Sequence, residues 1–152
     1  MLRLPLPILA LLALTAAVAA PECLTTFKGE WFAVRYPASF KAVPSDNAAS
    51  FLSPDGQAEF YVYSPQWRGQ SPWLFKRAGE KAAGKSTQSG KTNSVTYLTF
   101  RAPGYTRAYA DYQSHDGTTR WGLGIKYKSQ SAYNTYRPLY LKFKQSLKQY
   151  AD

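Results

Sequence analysis

Apolar and polar positions alternate along much of this chain with the two-residue period of β-strands, and only the tail carries a sustained helical period. The run WFAVRY at 31–36 has the aromatic and β-branched bias of a strand, and Pro37 stops it. Residues 50–53 predict a shorter strand. The tetrad Ser53, Pro54, Asp55, Gly56 is a turn, because Pro presets φ at its second position and Gly accepts positive φ at its fourth. It joins the short strand to 58–64 as a hairpin. Further strands are predicted at 94–101, 105–113 and 119–127, the last two linked by a turn at Ser114, His115, Asp116 and Gly117. In the final strand Trp121, Leu123, Ile125 and Tyr127 alternate with Arg120, Gly122, Gly124 and Lys126. The glycine face has no bulk there, so either a helix packs close or a ligand approaches the backbone.

Two helices are predicted. Ser71 can cap, Pro72 suits a first helical position, Leu74, Ala78 and Ala82 recur at helical spacing, and Gly84 suits a C-terminal cap, which together predict a helix over 72–83. The polar stretch 85–93 reads as a flexible connection. From Ser131 onward Tyr133, Tyr136, Tyr140, Phe143, Leu147 and Tyr150 form one helical stripe, with Pro138 as a kink or as the first residue of a second segment. Arg137, Lys144 and Lys148 then lie along one edge of the stripe, as a basic flank.

The first residues read as an address label. Arg3 supplies a positive end, 8–18 is apolar apart from one Thr, and small residues close the stretch at 16–20. The apolar run spans about 13 residues against the ~20 a membrane-spanning helix needs, so removal is expected rather than anchoring. Pro21 makes cleavage after Ala20 unfavourable, so the signal is placed at 1–19 and a single domain at 20–152. The mature protein is expected to be periplasmic or secreted and to have no transmembrane segment. With 45% hydrophobic, 16% aromatic and 18% charged residues the composition is that of a folded domain. Cys23 is the one cysteine, which excludes an intramolecular disulfide in an oxidising compartment. An intermolecular disulfide and an inert thiol stay open, whereas Glu22 disfavours lipid attachment.

Formal net charge is +10, or +9 once Arg3 is removed with the signal. Between Asp116 and Asp152 every charge is positive, from Arg120, Lys126, Lys128, Arg137, Lys142, Lys144 and Lys148. Such a field draws anionic partners. In an exported protein these are an acidic protein or an anionic envelope component such as a polymer or membrane headgroups, rather than nucleic acid. On the strand from Tyr105, the side chains of Tyr105, Arg107, Tyr109 and Asp111 share a face, with Arg101 and Arg120 on neighbouring strands. If open, that face offers stacking planes and anion donors; if a helix covers it, the tyrosines are core and Arg107 pairs with Asp111. The candidate binding residues are therefore Arg107, Tyr109, Arg120, Lys126, Arg137, Lys144 and Lys148.

Catalytic constellations are weak. Residues 79–86, GEKAAGKS, match the P-loop pattern letter for letter, but the helical signal precedes the match instead of following it, so no nucleotide is expected. His115, the one histidine, sits beside Asp116 in a turn with no nucleophile assigned to it. One His, one Cys and nine scattered acids offer no metal-ligand spacing. Glu30, Glu59, Glu80 and Asp111 do not single out a catalytic pair. An envelope hydrolase is the second alternative to a binding module. No catalytic residue, metal or cofactor is assigned.

The segment Phe32, Ala33, Val34, Arg35, Tyr36, Pro37, Ala38, Ser39, Phe40, the Ser-Pro-Asp-Gly hairpin, the later paired strands and a closing aromatic helix with Phe143, Ser146 and Leu147 resemble the PsbP/Mog1-like superfamily. The resemblance implies an α+β fold, an antiparallel β-sheet flanked by helices on both sides as an α/β/α sandwich. It also implies a non-catalytic adaptor, as in the photosystem II extrinsic subunit and the Ran-binding factor. No site residue of that family maps onto this chain.

Overall fold

The structure is a computed structural model and describes residues 22–68 and 76–150. The elements in chain order are β1 (Leu24–Lys28), β2 (Phe32–Pro37), β3 (Lys41–Ser45), β4 (Ala48–Leu52), β5 (Ala58–Tyr63), β6 (Lys81–Ser89), β7 (Asn93–Ala102), β8 (Tyr105–Ser114), β9 (Arg120–Tyr127), α1 (Gln130–Gln145) and β10 (Lys148–Gln149). Seven strands form one antiparallel sheet in the order β3-β4-β5-β9-β8-β7-β6, and β1-β2-β10 form a small second sheet. The predicted strands at 31–36, 50–53, 58–64, 94–101, 105–113 and 119–127 all fall on observed strands. The predicted turns close as expected, with Gly56 and Gly117 at φ 68° and 74°.

One face of the large sheet holds the main core. Phe51 of β4, Phe60 and Val62 of β5, and Leu123 and Ile125 of β9 point to the same side and are almost fully buried beneath Phe32 and Val34 of β2 and Tyr140 and Phe143 of α1. The Phe60 and Phe143 rings lie 5.3 Å apart and Phe51 meets Phe143 edge-on at 5.5 Å. Each buried aromatic of this size contributes roughly 1.5–3 kcal/mol over its exposed state. Helix α1 starts where the Ser129 hydroxyl accepts from the Ala132 amide, and Lys142 and Lys144 sit favourably against the dipole of its last turn.

Pro138 lies inside α1 on its exposed side. The Asn134 carbonyl that loses a helical donor therefore belongs to an exposed residue. The helix is shorter than its aromatic stripe. Ser146 caps it, and the Ser146 hydroxyl accepts from the Arg35 amide at 2.7 Å, which turns the chain onto β2. Lys148 and Gln149 then pair with Ala33 and Phe32. Leu147, Lys148 and Tyr150 thus follow the helix rather than extend it.

Over 72–83 the outcome differs from the helix expected there. Residues 72–75 lie outside the described residues; 76–80 are not helical, and Lys81 onward is strand. Gly79 takes φ 81° in a turn in which the Glu80 amide donates to the Arg77 carbonyl at 3.1 Å. Gly84 caps no helix. It lies within β6, whose ladder to β7 also absorbs most of the expected connection at 85–93. Pairing with a ten-residue neighbour outweighs the modest helix propensity of an alanine-rich stretch.

The glycine face of β9 is covered by tyrosine rings rather than by a helix. Tyr61 of β5 is registered opposite Gly124, and Asp111 of β8 opposite Gly122. A Cβ on Gly124 would overlap the Tyr61 ring, and one on Gly122 the Tyr109 ring. The two tyrosine rings lie over the glycine backbone and stack on each other at 5.5 Å, forming a second small core with Leu98 and Phe100. Gly124→Ala and Gly122→Ala should each lower stability by about 1–3 kcal/mol in urea unfolding, the usual effect of overpacking. Gly84→Ala should be near neutral, since its Cβ would meet nothing closer than 3.8 Å.

Candidate functional site

The register sorts the charged residues between the two faces of the large sheet. Alternation puts Glu59, Arg107 and Lys126 on the face of the stacked tyrosines, together with Tyr105, Tyr109, Asp111 and Arg120. Arg107 is 2% exposed. It does not pair with Asp111. Its guanidinium grips Glu80 at both ends, Nε to Oε1 at 2.8 Å and Nη2 to Oε2 at 2.7 Å, while Nη1 donates to the Tyr61 hydroxyl at 3.2 Å. Asp111 instead takes a forked pair from Arg120, at 3.0 and 2.8 Å. Glu59 is shared by Arg77 at 2.9 Å and Lys126 at 3.1 Å.

A hollow of about 280 Å³ opens on this face between Val43, Ser50, Tyr63 and Arg77. Its floor is Tyr61 and Arg107, whose charge is already matched by Glu80. Burial works against ionisation of Glu80, but the Arg107 hydrogen bonds and the Arg77 amide outweigh it, so the carboxyl lies below its ordinary value of 4.5. Glu59 is lowered in the same way, burial being overcome by Arg77 and Lys126. Burial raises the Tyr61 and Tyr109 hydroxyls above their ordinary range, so both stay neutral.

The opposite face presents a different chemistry where α1 leaves β7 and β6 uncovered. A trough of about 270 Å³ runs between helix and sheet, with Tyr97 and Thr99 on its floor and Tyr133, Arg137, Leu141 and Lys144 on its wall. Lys144 Nζ stands 5.3 Å from the Tyr97 ring centre and 5.9 Å from that of Tyr112. Tyr97 is 37% exposed despite lying in mid-strand. Arg101, expected beside Arg107, falls on this side because it is registered with Thr106, and Lys81 is registered with Arg101. Arg137, Lys144, Arg101 and Lys81 have no carboxylate partner among the described residues.

Of the seven candidates, Arg107, Tyr109, Arg120 and Lys126 therefore share the tyrosine face, and their cations are engaged internally. Arg137 and Lys144 meet at the trough. Lys148 does not join them, because it lies in β10 beside a separate hollow with Lys28 and Arg35. Tyr97 was not singled out by sequence, although the alternation of Val95, Tyr97 and Thr99 with Leu98 and Phe100 marks its side. The remaining candidate chemistry disperses. His115 Nε2 donates to the Gly90 carbonyl at 2.8 Å, tying two turns together, and Asp116 is held at about 2 by the Ser114 and Thr118 hydroxyls and the Thr118 amide. Cys23 is exposed. Gly84, Lys85 and Ser86 lie in a strand and start no helix, so they build no phosphate cradle. Among the described residues no group of three metal-ligating side chains occurs, and no helix is long and apolar enough to cross a membrane.

Arg107→Met should cost about 3–5 kcal/mol by leaving Glu80 buried without its partner, and Arg107→Met with Glu80→Leu should recover part of that loss. Because Glu59 and Glu80 are lowered in the folded state, their stabilisation is complete above the ordinary carboxylate value of 4.5 and is lost as pH falls below it. Urea titrations from pH 7 to pH 3 should show this decline, and Glu80→Gln should flatten it.

No protein-family model matches this sequence, and no match is found among curated proteins. Solved structures do match. Cyanobacterial PsbP from Synechocystis sp. PCC 6803 is similar with a TM-score of 0.55 at 9% identity, over 91% of this chain and 99% of that one. The Ran-binding protein Mog1p of Saccharomyces cerevisiae gives 0.52 at 8% identity, over 85% and 96%. At such identities the likeness concerns the fold alone. The helices expected on both sides of the sheet reduce, among the described residues, to α1 on one side. The chain has a PsbP/Mog1-like fold, mostly antiparallel sheet with one C-terminal helix.

Proposed function

We propose that this protein is an exported, non-catalytic binding module that engages an acidic partner through the trough between α1 and β7. The observation that carries the reading is the separation of charge across the sheet. Glu59, Glu80 and Asp111 all lie with bound cations on the tyrosine face, whereas Arg137 and Lys144 border an aromatic floor, with Arg101 and Lys81 farther along the same sheet face, and none of the four has a carboxylate partner among the described residues. A cation held over an exposed tyrosine suits a carboxylate that brings an apolar stem with it. The non-catalytic reading is supported by the engagement of three of the four candidate acids, Glu59, Glu80 and Asp111. A carboxylate locked in a forked pair with arginine has neither the lone pairs nor the mobility of a general base. The PsbP/Mog1-like fold supports a binding role by analogy only.

Polyglutamate titrated into the protein at low salt should bind, with Tyr97 and the α1 flank responding in NMR. Arg137→Gln with Lys144→Gln should weaken binding about tenfold and reduce its salt dependence, with stability changed by less than about 0.5 kcal/mol. Lys126→Gln and Lys148→Gln should leave binding unaltered. Loss of binding in Lys126→Gln or Arg120→Gln, with the trough variants unaffected, would move the site to the tyrosine face. Export predicts that protein isolated from its cells starts at Ala20 or Pro21, which intact mass decides; a mass retaining residues 1–19 would refute it.

A further inference from the structure

We infer that β6 is a docking edge for an extended acidic segment of another protein, which adds to the large sheet as an eighth strand and directs alternate carboxylates into the basic trough. The inference rests on the trough being the binding face and adds the form of the partner. The two edges of the sheet differ. β3 is five residues long and contains Pro44, which removes a backbone donor. β6 is nine residues long, has no proline and is exposed at every position. Among the described residues it is hydrogen-bonded to β7 alone. A bulge between Ala82 and Gly84 interrupts its register, and the regular run from Gly84 to Ser89 presents about 20 Å of edge to a newcomer.

The side chains of β6 leave the way to the trough open. Ser86 is registered with Tyr97 and Gly84 with Thr99, so the residues between an added strand and the trough floor are the smallest on that side. A residue on every second position of the added strand would face the trough, and glutamate reaching in over Ser86 would meet the field of Lys144 and Arg137 at one end and of Lys81 and Arg101 at the other. Lys81 gives the trough side of the edge a positive sign, and 81–91 contains no acid. Two β6 edges from separate copies would bring together two acid-free basic segments, which repel. The same charge that discourages self-association selects an acidic strand. Main-chain bonds would supply affinity and the alternate side chains specificity, as in other strand additions.

The test uses protein isolated from its cells and a nine-residue acetylated peptide alternating glutamate with threonine, alongside its fully N-methylated twin, which keeps the charge but cannot pair. Expected are binding of the plain peptide, slowed amide exchange within 81–89, at least tenfold weaker binding of the twin, and weakening by Arg137→Gln with Lys144→Gln. Equal binding of the two peptides, or binding of polyglutamate without either peptide, would overturn strand addition and leave the basic trough standing. Silence of both peptides and of polyglutamate would overturn both readings. Concentration-dependent dimers that protect 81–89 in sedimentation and exchange measurements would make a second copy the occupant and overturn the acidic partner, as would binding of anionic vesicles in preference to the peptide.

Discussion

The Arg107–Glu80 ion pair is the constraint around which the tyrosine face is arranged. A guanidinium that is almost fully buried must be matched in charge and in hydrogen bonds. Glu80 supplies both oxygens, and the Tyr61 hydroxyl takes a third donor. That requirement fixes the turn at Gly79, which carries Glu80 over the sheet, and fixes the position of the Tyr61 ring. The ring in turn needs the volume that Gly124 leaves empty. Removal of any one member therefore disturbs the others, and the face behaves as a unit rather than as a set of separate contacts.

Satisfying that face has an electrostatic effect on the other. The chain has few acids, and three of them are committed to the buried and half-buried cations of β8, β9 and the Arg77 turn. Among the described residues no carboxylate pairs with the cations on the helix side near β7. The helix contributes only Arg137, Lys142 and Lys144 as charged residues, so the trough keeps a field of one sign. A basic surface arises here from where the acids are needed as much as from where the lysines are.

Strands with strict alternation, such as Trp121 to Tyr127, and turns with proline or glycine at determining positions were legible because local chemistry and tertiary demand agree. β6 was not, since KAAGKSTQS has neither alternation nor bulk and is strand only because β7 lies beside it. The tail misled in a different way. Its stripe of Tyr133, Tyr136, Tyr140 and Phe143 continues in phase through Leu147 and Tyr150, and the helix ends through long-range contacts, Ser146 to Arg35 across 111 residues and the pairing of Lys148 and Gln149 with β2. Arg107 and Tyr109 were placed on the right strand and face. Their partners were not, because the ion pair to Glu80 joins a turn to a strand with no periodic relation between them.

The pairing of β10 with β2 has a temporal meaning. β2 lies at the middle of the small sheet, and one of its two sides is completed by Lys148 and Gln149 together with the Tyr150 amide bonded to the Trp31 carbonyl. Phe32 and Val34 of β2 lie in the core, with Leu147 packed against the same cluster. A chain made from its N-terminus thus holds Phe32 and Val34 more than a hundred residues before β10 follows to pair with β2. Until residues 148–150 have emerged, that side of β2 has no partner strand.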